Sequence, residues 1–549
     1  MRAALTFSFT LFLFVHSIAQ DKLNTVQQAM RDELERNMKE MKSEGFDRPF
    51  FINYTIQDIT LYHISATLGA LTQSQESKGR SALSIRMLVG DYDFNDESLD
   101  NNLYSPPQAN AISLPIDDDY LGIRRSLWIS TDNVYRNASR QFAKNKEMVK
   151  EQEKPLAELP HRTFAKVPPS KIDIEGPAAS FDKAATEEYV RKVSAIFKDF
   201  KEIDRSQVDL TYGFGYRYLV NSEGAVNRVP VNVLRMVVAC SVYSPAGDIV
   251  YDNFTRYSIL PELPPLDKTI GDAKSLAKNL IQHVTAPSLD EDYQGPVLFE
   301  GREAASMLYL GMFMTETSLF ATNDIPRLKG SRYDPNPAGS NDQKIGKQVF
   351  AKGMTVKAIP KTKSFGDLVL FGSFEVDSEG TVPADETVLV DKGILKQLCN
   401  DRTITKPDQV ANGLADGPGV LSVSFEGGVP LSTMKAKLIE QAKKEGLDYA
   451  LRVSPSPGET YMGSIYKVYV SDGREELVAR QSMGSLSQRA FKKILDTSNE
   501  VMACNLGGGE AVTSIICPQA VLFEEIEYTA SHKGRSEKEE EYVPSPLKK

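Results

Sequence analysis

Apolar residues recur at the three- and four-residue spacing of an amphipathic helix in several stretches of the chain. The first stretch opens at Thr25, where Gln28 completes the pattern of a capping box, and Gly45 is a typical stop. Later stretches place their apolar residues on one side in the same way. The sequence therefore predicts helices over 25–44, from 131 onward, and over about 181–203, 270–284, 432–445 and 487–496.

Residues typical of β-strands fill much of the remaining chain. They predict strands over 50–71, 82–89, 208–220 and 226–242, and a mostly strand-like region from 295 to 528. The stretch 153–177 contains five prolines, which favours a linker or an extended crossing segment. We therefore expect an α+β protein. Its N-terminal α/β domain carries amphipathic helices on a sheet, and a mostly antiparallel, β-rich C-terminal domain follows.

The two ends of the chain differ from this pattern. Arg2 precedes an apolar run over 3–15, and the small residues Ser17 and Ala19 follow, as in a secretory signal peptide. The end of the chain is charged and offers nothing for a core. The predicted division is a signal peptide over 1–19, an N-terminal domain over 20–288, a C-terminal domain over 289–531 and a disordered tail over 532–549. We expect export to the periplasm or the cell surface, without a transmembrane anchor.

Composition narrows the possible functions. The 549 residues carry a net charge of −10 and include 41% hydrophobic residues, which suits large folded cores. No stripe of the chain is dense in Lys and Arg, so a nucleic acid is not an expected partner.

Cysteines and histidines are few. The four cysteines allow one disulfide bridge, which the sequence does not identify. The five histidines are isolated from one another, and neither HExxH nor CxxC occurs. No local metal motif is intact, and we expect no bound metal.

Three segments together resemble the TldD/PmbA family, also called modulators of DNA gyrase, which contains zinc metallopeptidases and their inactivated relatives. The first is YQGPVLFEGREAA over 293–305, and the second is ETVLVDKGIL over 386–395. The third runs from Cys504 through Gly507-Gly508-Gly509 to CPQAVLF over 517–523. The glycine run is interpreted as a tight turn, with an anion cradle as the alternative.

The resemblance implies a zinc site in active members, in which a helix presents His-Glu-x-x-x-His and a distant cysteine completes the ligands. Here Phe299 and Ala304 stand at the two histidine positions, and Glu300 alone is retained. Cys504 falls in the region of the third ligand. Glu300 is the one candidate catalytic residue, either as a relic general base or as an acid favoured by a helix dipole.

Three functions remain open. The first, which we favour, is a metal-free homologue that binds a peptide or extended protein segment along a sheet edge, or pairs as a homodimer or with a metal-bearing paralogue, and is inactive alone. The second is an active zinc peptidase whose ligands are gathered from His63, His161, His283 and Cys504. The third is an envelope module for a small ligand or glycan, which applies if segment 295–305 is not a strand running into a helix beside 504–518.

Overall fold

The computed structural model describes residues 23–42, 44–99, 112–176, 181–243, 249–313, 315, 318–323, 325–326, 328, 341–456, 463–479, 481–506 and 513–530. The predicted signal peptide, the predicted tail, His532 and the glycine run 507–509 lie outside these residues.

Seven α-helices occur within the described part of the chain. They are α1 (Thr25–Glu40), α2 (Tyr120–Lys150), α3 (Lys183–Ala195), α4 (Leu266–Thr285), α5 (Arg302–Phe313), α6 (Leu431–Lys444) and α7 (Gln488–Lys492). Short 3-10 helices cover Leu156–Glu158, Ile196–Asp199 and Asn341–Lys344.

The first half of the chain builds one large sheet, in which the long strands pair as antiparallel neighbours. Its strands are β1 (Pro49–Thr67), β2 (Ala70–Val89), β3 (Ile112–Ser113), β5 (Lys171–Asp173), β6 (Arg205–Asn221), β7 (Val226–Tyr243) and β8 (Ile249–Ser258). The order is β3-β2-β1-β6-β7-β5, with β8 also paired to β7. The two-residue strands β4 (Thr163–Phe164) and β15 (Thr403–Ile404) pair with each other and so connect the two halves of the chain.

The second half builds two further sheets. One contains β9 (Tyr293–Glu300), β17 (Tyr449–Ser454), β18 (Ser464–Tyr469), β19 (Glu475–Val478), β20 (Ser482–Met483), β21 (Ile494–Thr497) and β24 (Ala520–Thr529). The other contains β10 (Met354–Ala358), β13 (Thr387–Asp391), β14 (Ile394–Leu395), β16 (Val420–Phe425), β22 (Val501–Leu506) and β23 (Thr513–Pro518). A small ribbon pairs β11 (Ser364–Phe365) with β12 (Leu368–Val369).

Alternation along the strands gives the N-terminal sheet two unlike faces near residue 53. Ile52, Tyr54 and Ile56 point into a core with residues of α1 and α2. The residues between them, Asn53 and Thr55, are polar, yet they are also buried. A polar sheet face that is hidden from water needs a covering layer, and residues of the C-terminal half provide one.

The predicted α+β class is confirmed, with helices on the N-terminal sheet and a β-rich C-terminal half. Several boundaries differ from the predictions. The capping box of α1 is formed by Asn24 and Gln27 rather than by Thr25 and Gln28, because Asn24 is the extended residue that precedes the helix. Residues 494–496, predicted as the end of a helix, belong to strand β21, which covers Ile494–Thr497. The proline-rich stretch 153–177 contains β4 and β5, so it crosses the structure as part of its sheets.

Two helices were not fully predicted. Helix α2 begins at Tyr120, eleven residues before the predicted start at 131, with Asp119 capping the backbone N–H of Gly122. In the first half of α2, apolar residues lie on the buried face, such as Ile123, and also on the exposed face, such as Trp128. The sequence therefore shows no clear amphipathic pattern there. Helix α5 is apolar over most of its surface, so periodicity gave no signal for it.

A buried arginine joins the two halves of the chain. The Arg402 side chain is fully buried, donates to the Ala165 carbonyl oxygen at 2.6 Å and pairs with Glu223 at 2.7 Å. Its guanidinium also lies over the rings of Phe164, 4.1 Å from the centroid, and Phe51, 4.9 Å away. Such a cation is stable in the interior only because these partners replace its water shell.

The helices of the described residues include none with both the length and the apolar composition that crossing a bilayer requires.

Replacing Arg402 by Met should lower the free energy of unfolding by about 3–5 kcal/mol, because Glu223 is left as a buried charge without its partner. Denaturant unfolding monitored by circular dichroism measures the loss. Arg136→Met is the matched control, since Arg136 is 53% exposed and pairs with Asp132 within one helix, and it should change stability by less than about 0.5 kcal/mol. Equal losses in the two variants would show that Arg402 does not stabilise the junction.

Candidate functional site

The strand β9 carries the segment that the sequence singled out, at the centre of a C-terminal sheet. It pairs in parallel with β17 and antiparallel with β24, and it leads directly into α5. Gly301 makes the turn with φ of +58°, where a Cβ atom would lie 2.4 Å from Cγ of Pro455. Glycine is therefore required at this position by both backbone conformation and space.

The first turn of α5 contacts the closing region of the chain. The Arg302 guanidinium donates from Nη1 to Sγ of Cys504 at 3.5 Å and to the backbone oxygen of Asn505 at 3.3 Å. Both acceptors belong to β22, which pairs with β23. Segment 295–305 is thus a strand running into a helix beside 504–518, which is the arrangement that the resemblance requires.

Phe299, Ala304 and Cys504 belong to one hydrophobic core. Phe299 is 3% exposed and meets the ring of Phe523 edge-on at 5.6 Å between centroids, while Ala304 is fully buried. A phenyl ring and a methyl group offer no lone pair to a cation, so these residues do not fit the zinc ion that the family implies. The described residues also contain no group of three or more His, Cys, Asp or Glu side chains placed to hold a metal.

Glu300 points away from this core. Successive strand residues face opposite sides of a sheet, and the Glu300 carboxylate accepts hydrogen bonds from Nε and Nη2 of Arg452 at 2.9 and 2.6 Å. Arg452 also pairs with Glu475, which in turn pairs with Lys435 of α6. This chain of charges supports a structural role for Glu300, through an ion pair rather than a helix dipole. Its catalytic role stays a prediction.

The structure does not bring the alternative zinc ligands together. His63 lies on β1 near Ser65 and Asp209, and His283 lies on α4 with Nδ1 2.7 Å from the Asn279 oxygen. His161 has Nδ1 2.8 Å from the Leu159 oxygen, and its ring meets Phe94 edge-on. Among the described residues, these three histidines form no metal-holding group with Cys504.

All four cysteines are buried and present as free thiols, so the structure contains no disulfide between them. Burial raises the pKa of the Cys517 thiol far above its usual range, and Cys399 is affected in the same way. Both are therefore inert thiols that pack as small apolar side chains.

Glu303 is a titratable group that the sequence analysis missed. Its carboxylate lies against Gly463, and a Cβ atom on Gly463 would come within 2.7 Å of Cδ of Glu303. Oε1 of Glu303 is buried and accepts no hydrogen bond from the described residues. Burial, with a smaller contribution from Asp252, raises the pKa of Glu303 to about 7, against the opposing charge of Arg302. The carboxyl group could therefore exchange a proton near neutral pH. In the sequence, only its position next to Ala304 in the family segment could have indicated Glu303 as a residue of interest.

Residues 296–529 match the model of the PmbA/TldA metallopeptidase C-terminal domain. Three solved structures share the fold. A putative modulator of a DNA gyrase from Thermotoga maritima is 13% identical with a TM-score of 0.55, and the match covers 91% of this chain and 100% of that one. A putative modulator of DNA gyrase from Bacteroides thetaiotaomicron is 11% identical with a TM-score of 0.54, covering 92% and 98%.

The third structure, TldE from Thermococcus kodakarensis, is 13% identical with a TM-score of 0.52, covering 91% of this chain and 100% of that one. A comparison with curated proteins finds no significant match. The family resemblance predicted from the three sequence segments is confirmed by the domain match and by the shared fold.

Glu303→Gln should change how stability depends on pH. The pKa of Glu303 is raised on folding, so the native protein loses stability as pH rises from about 4.5 to about 7 and stays less stable above that. The neutral amide removes this loss, and the variant should exceed the native protein by about 1–3 kcal/mol at pH 8 and match it at pH 4. Denaturant unfolding at both pH values measures the difference. Glu35→Gln, at a side chain 68% exposed, should show no such divergence.

Proposed function

We propose that this chain, which belongs to the TldD/PmbA family, is an exported, metal-free homologue that acts as a peptide-binding or partner subunit. The observation that carries the proposal is the burial of Phe299 and Ala304 in the hydrophobic core beside Cys504. The positions that would have to supply two metal ligands supply packing instead. Export is inferred from the apolar run and small residues that follow Arg2.

The geometry of β22 supports the binding of an extended peptide. Among the described strands, β22 pairs on one side only, with β23, and Val501 at its start is 52% exposed. A strand edge with unpaired backbone groups is the surface on which an extended segment adds as a further strand. Arg302 and the backbone of residues 369 and 371 already contact β22 at Cys504 and Asn505, so an added strand would pair along the part of β22 nearer Val501.

An apolar strip on α2 supports the role of partner subunit. Leu121, Trp128 and Ile129 lie on one side of the helix and are 70%, 46% and 48% exposed. Side chains this large and apolar, grouped on one helix face, are typical of an interface, and Trp is frequent among residues that dominate binding. We assign this strip to a metal-bearing paralogue, because the family resemblance implies a two-subunit system in which one member has the motif and the other lacks it.

The mature protein, purified without chelators or affinity metals, should contain far less than one zinc ion per chain. It should also leave a mixture of unstructured peptides uncleaved, since Phe299 and Ala304 donate to no metal. Elemental analysis and mass spectrometry measure the two results. A family member with an intact His-Glu-x-x-x-His motif, purified in parallel, is the positive control. Near-stoichiometric zinc, or cleavage lost in a Glu300→Gln variant, would favour the active peptidase instead.

Trp128→Glu should weaken association with the paralogue by at least about tenfold, because a charge replaces the central side chain of the apolar strip. Co-expression followed by size exclusion with light scattering measures complex formation and separates it from self-association. Val410→Glu is the control, at an apolar side chain 60% exposed outside α2. The assignment fails if the two proteins elute separately, or if both variants bind as the native chain does.

A further inference from the structure

A cavity of about 490 Å³ lies between the polar face of the N-terminal sheet and loops of the C-terminal half. Asn53 of β1, Arg86 of β2 and Arg217 of β6 line it from the sheet. Glu379, Asp401 and Asp416 line it from the opposite side. Its volume falls within the range of small-molecule sites, it is open to solvent on one side, and most of its lining residues are charged or polar.

Two sheet side chains in this cavity each have one polar atom without a hydrogen-bond partner among the described residues, although Nδ2 of Asn53 donates to Thr55. Asn53 is 4% exposed, and its Oδ1 accepts no hydrogen bond. The Nε atom of Arg217 is buried without an acceptor, and none of the described acidic side chains forms an ion pair with Arg217. Buried polar groups are normally satisfied, so this pair indicates that a ligand supplies an anionic group to Arg217 and an N–H donor to Asn53.

The opposite wall is acidic. Arg86 pairs with Glu97 at 2.5 Å and with Glu379, and these contacts occupy its charge. Asp401 accepts from Asn323 and from the Thr403 backbone through Oδ1 alone, which leaves Oδ2 toward the cavity. Burial raises the pKa of both Glu379 and Asp401, against the opposing charge of Arg86. Asp401 itself forms no ion pair with the described residues, so a cationic group on the ligand would be its direct partner.

We propose that this cavity binds a small zwitterion of amino-acid to dipeptide size, with its carboxylate on Arg217 and its ammonium group on Asp401, within reach of Asn53. The opposite charges of the two walls define the ligand, since a simple anion would leave the acidic wall unpaired and a simple cation would leave Arg217 unpaired. The inference does not depend on the function proposed above.

The cavity is separate from the region around Phe299. The cavity lies at the end of β1 that contains Asn53 and Thr55. Asp252 is close enough to Glu303, near Phe299, to raise its pKa. The strand pairings place Asp252 level with the other end of β1, near Thr67. At the rise of an extended strand, the two ends are on the order of 40 Å apart.

Isothermal titration of the full mature protein with four probes tests the proposal. L-Alanine and glycylglycine carry both charges, propionate carries only the carboxylate, and ethylamine carries only the ammonium group. At least one zwitterion should bind, with an affinity at least about tenfold above that of either single-charge probe. The proposal is overturned if neither zwitterion binds at millimolar concentration, or if propionate or ethylamine binds as tightly.

Two variants locate the binding. Arg217→Gln should weaken the zwitterion by about tenfold to a hundredfold, and Asp401→Asn should weaken it while leaving propionate unchanged. Arg235→Gln is the matched control, because Arg235 also has a buried Nε without an acceptor and lies on β7 outside the cavity. Circular dichroism of each variant without ligand confirms folding. Unchanged affinity in a folded Arg217→Gln protein would refute the site.

Discussion

Charged side chains buried between the N-terminal sheet and the C-terminal loops are the constraint on which the arrangement of the two halves depends. Arg402 reaches Glu223 and Ala165, and Arg86 reaches Glu379 across the same junction. A desolvated ion is tolerated only in a narrow range of geometries, so each pair fixes the distance and orientation of the two surfaces. Hydrophobic contacts alone would allow the two halves to shift relative to each other, whereas these ion pairs favour one relative position. The cavity lies at the same junction, where Arg86 and Arg217 of the sheet face Glu379 and Asp401 of the loops.

Neighbouring residues of strand β9 face opposite sides of its sheet. Phe299 and Glu300 are neighbours in the chain, yet one packs into the core with Cys504 and the other pairs with Arg452 on the opposite face of the sheet. Glu300 therefore faces charges of its own sheet and of helix α6, not the side of the sheet on which Phe299 packs. The turn at Gly301 sends the chain back into the core, so that Ala304 returns to the side of Phe299.

The spacing of apolar residues predicted the helices that bury one apolar face. It failed for helices that are apolar on exposed faces or buried on most sides. Helix α6 was placed closely, and α4 was placed within a few residues, because their apolar residues keep helical spacing. Helix α2 was misplaced because Trp128 is apolar and exposed, and α5 was missed because it is buried on most sides. The family segments predicted a strand running into a helix beside the closing region, and β9, α5 and β22 have that arrangement. The cavity beside Asn53 could not be found, since its walls come from residues more than three hundred positions apart, such as Asn53 and Asp401.

The aromatic packing around Phe299 restricts which side chains positions 299 and 304 can accept. Phe299 meets Phe523, Phe523 meets Phe491, and Phe491 fills the space beside Gly311 so fully that a Cβ atom there would lie 2.2 Å from the ring. A Phe299→His substitution would remove an anchor of this array without creating a metal site, because Ala304 has no room for an imidazole until its neighbours move. Imidazoles could stand at 299 and 304 only after the rings of Phe523 and Phe491 had repacked together with both positions.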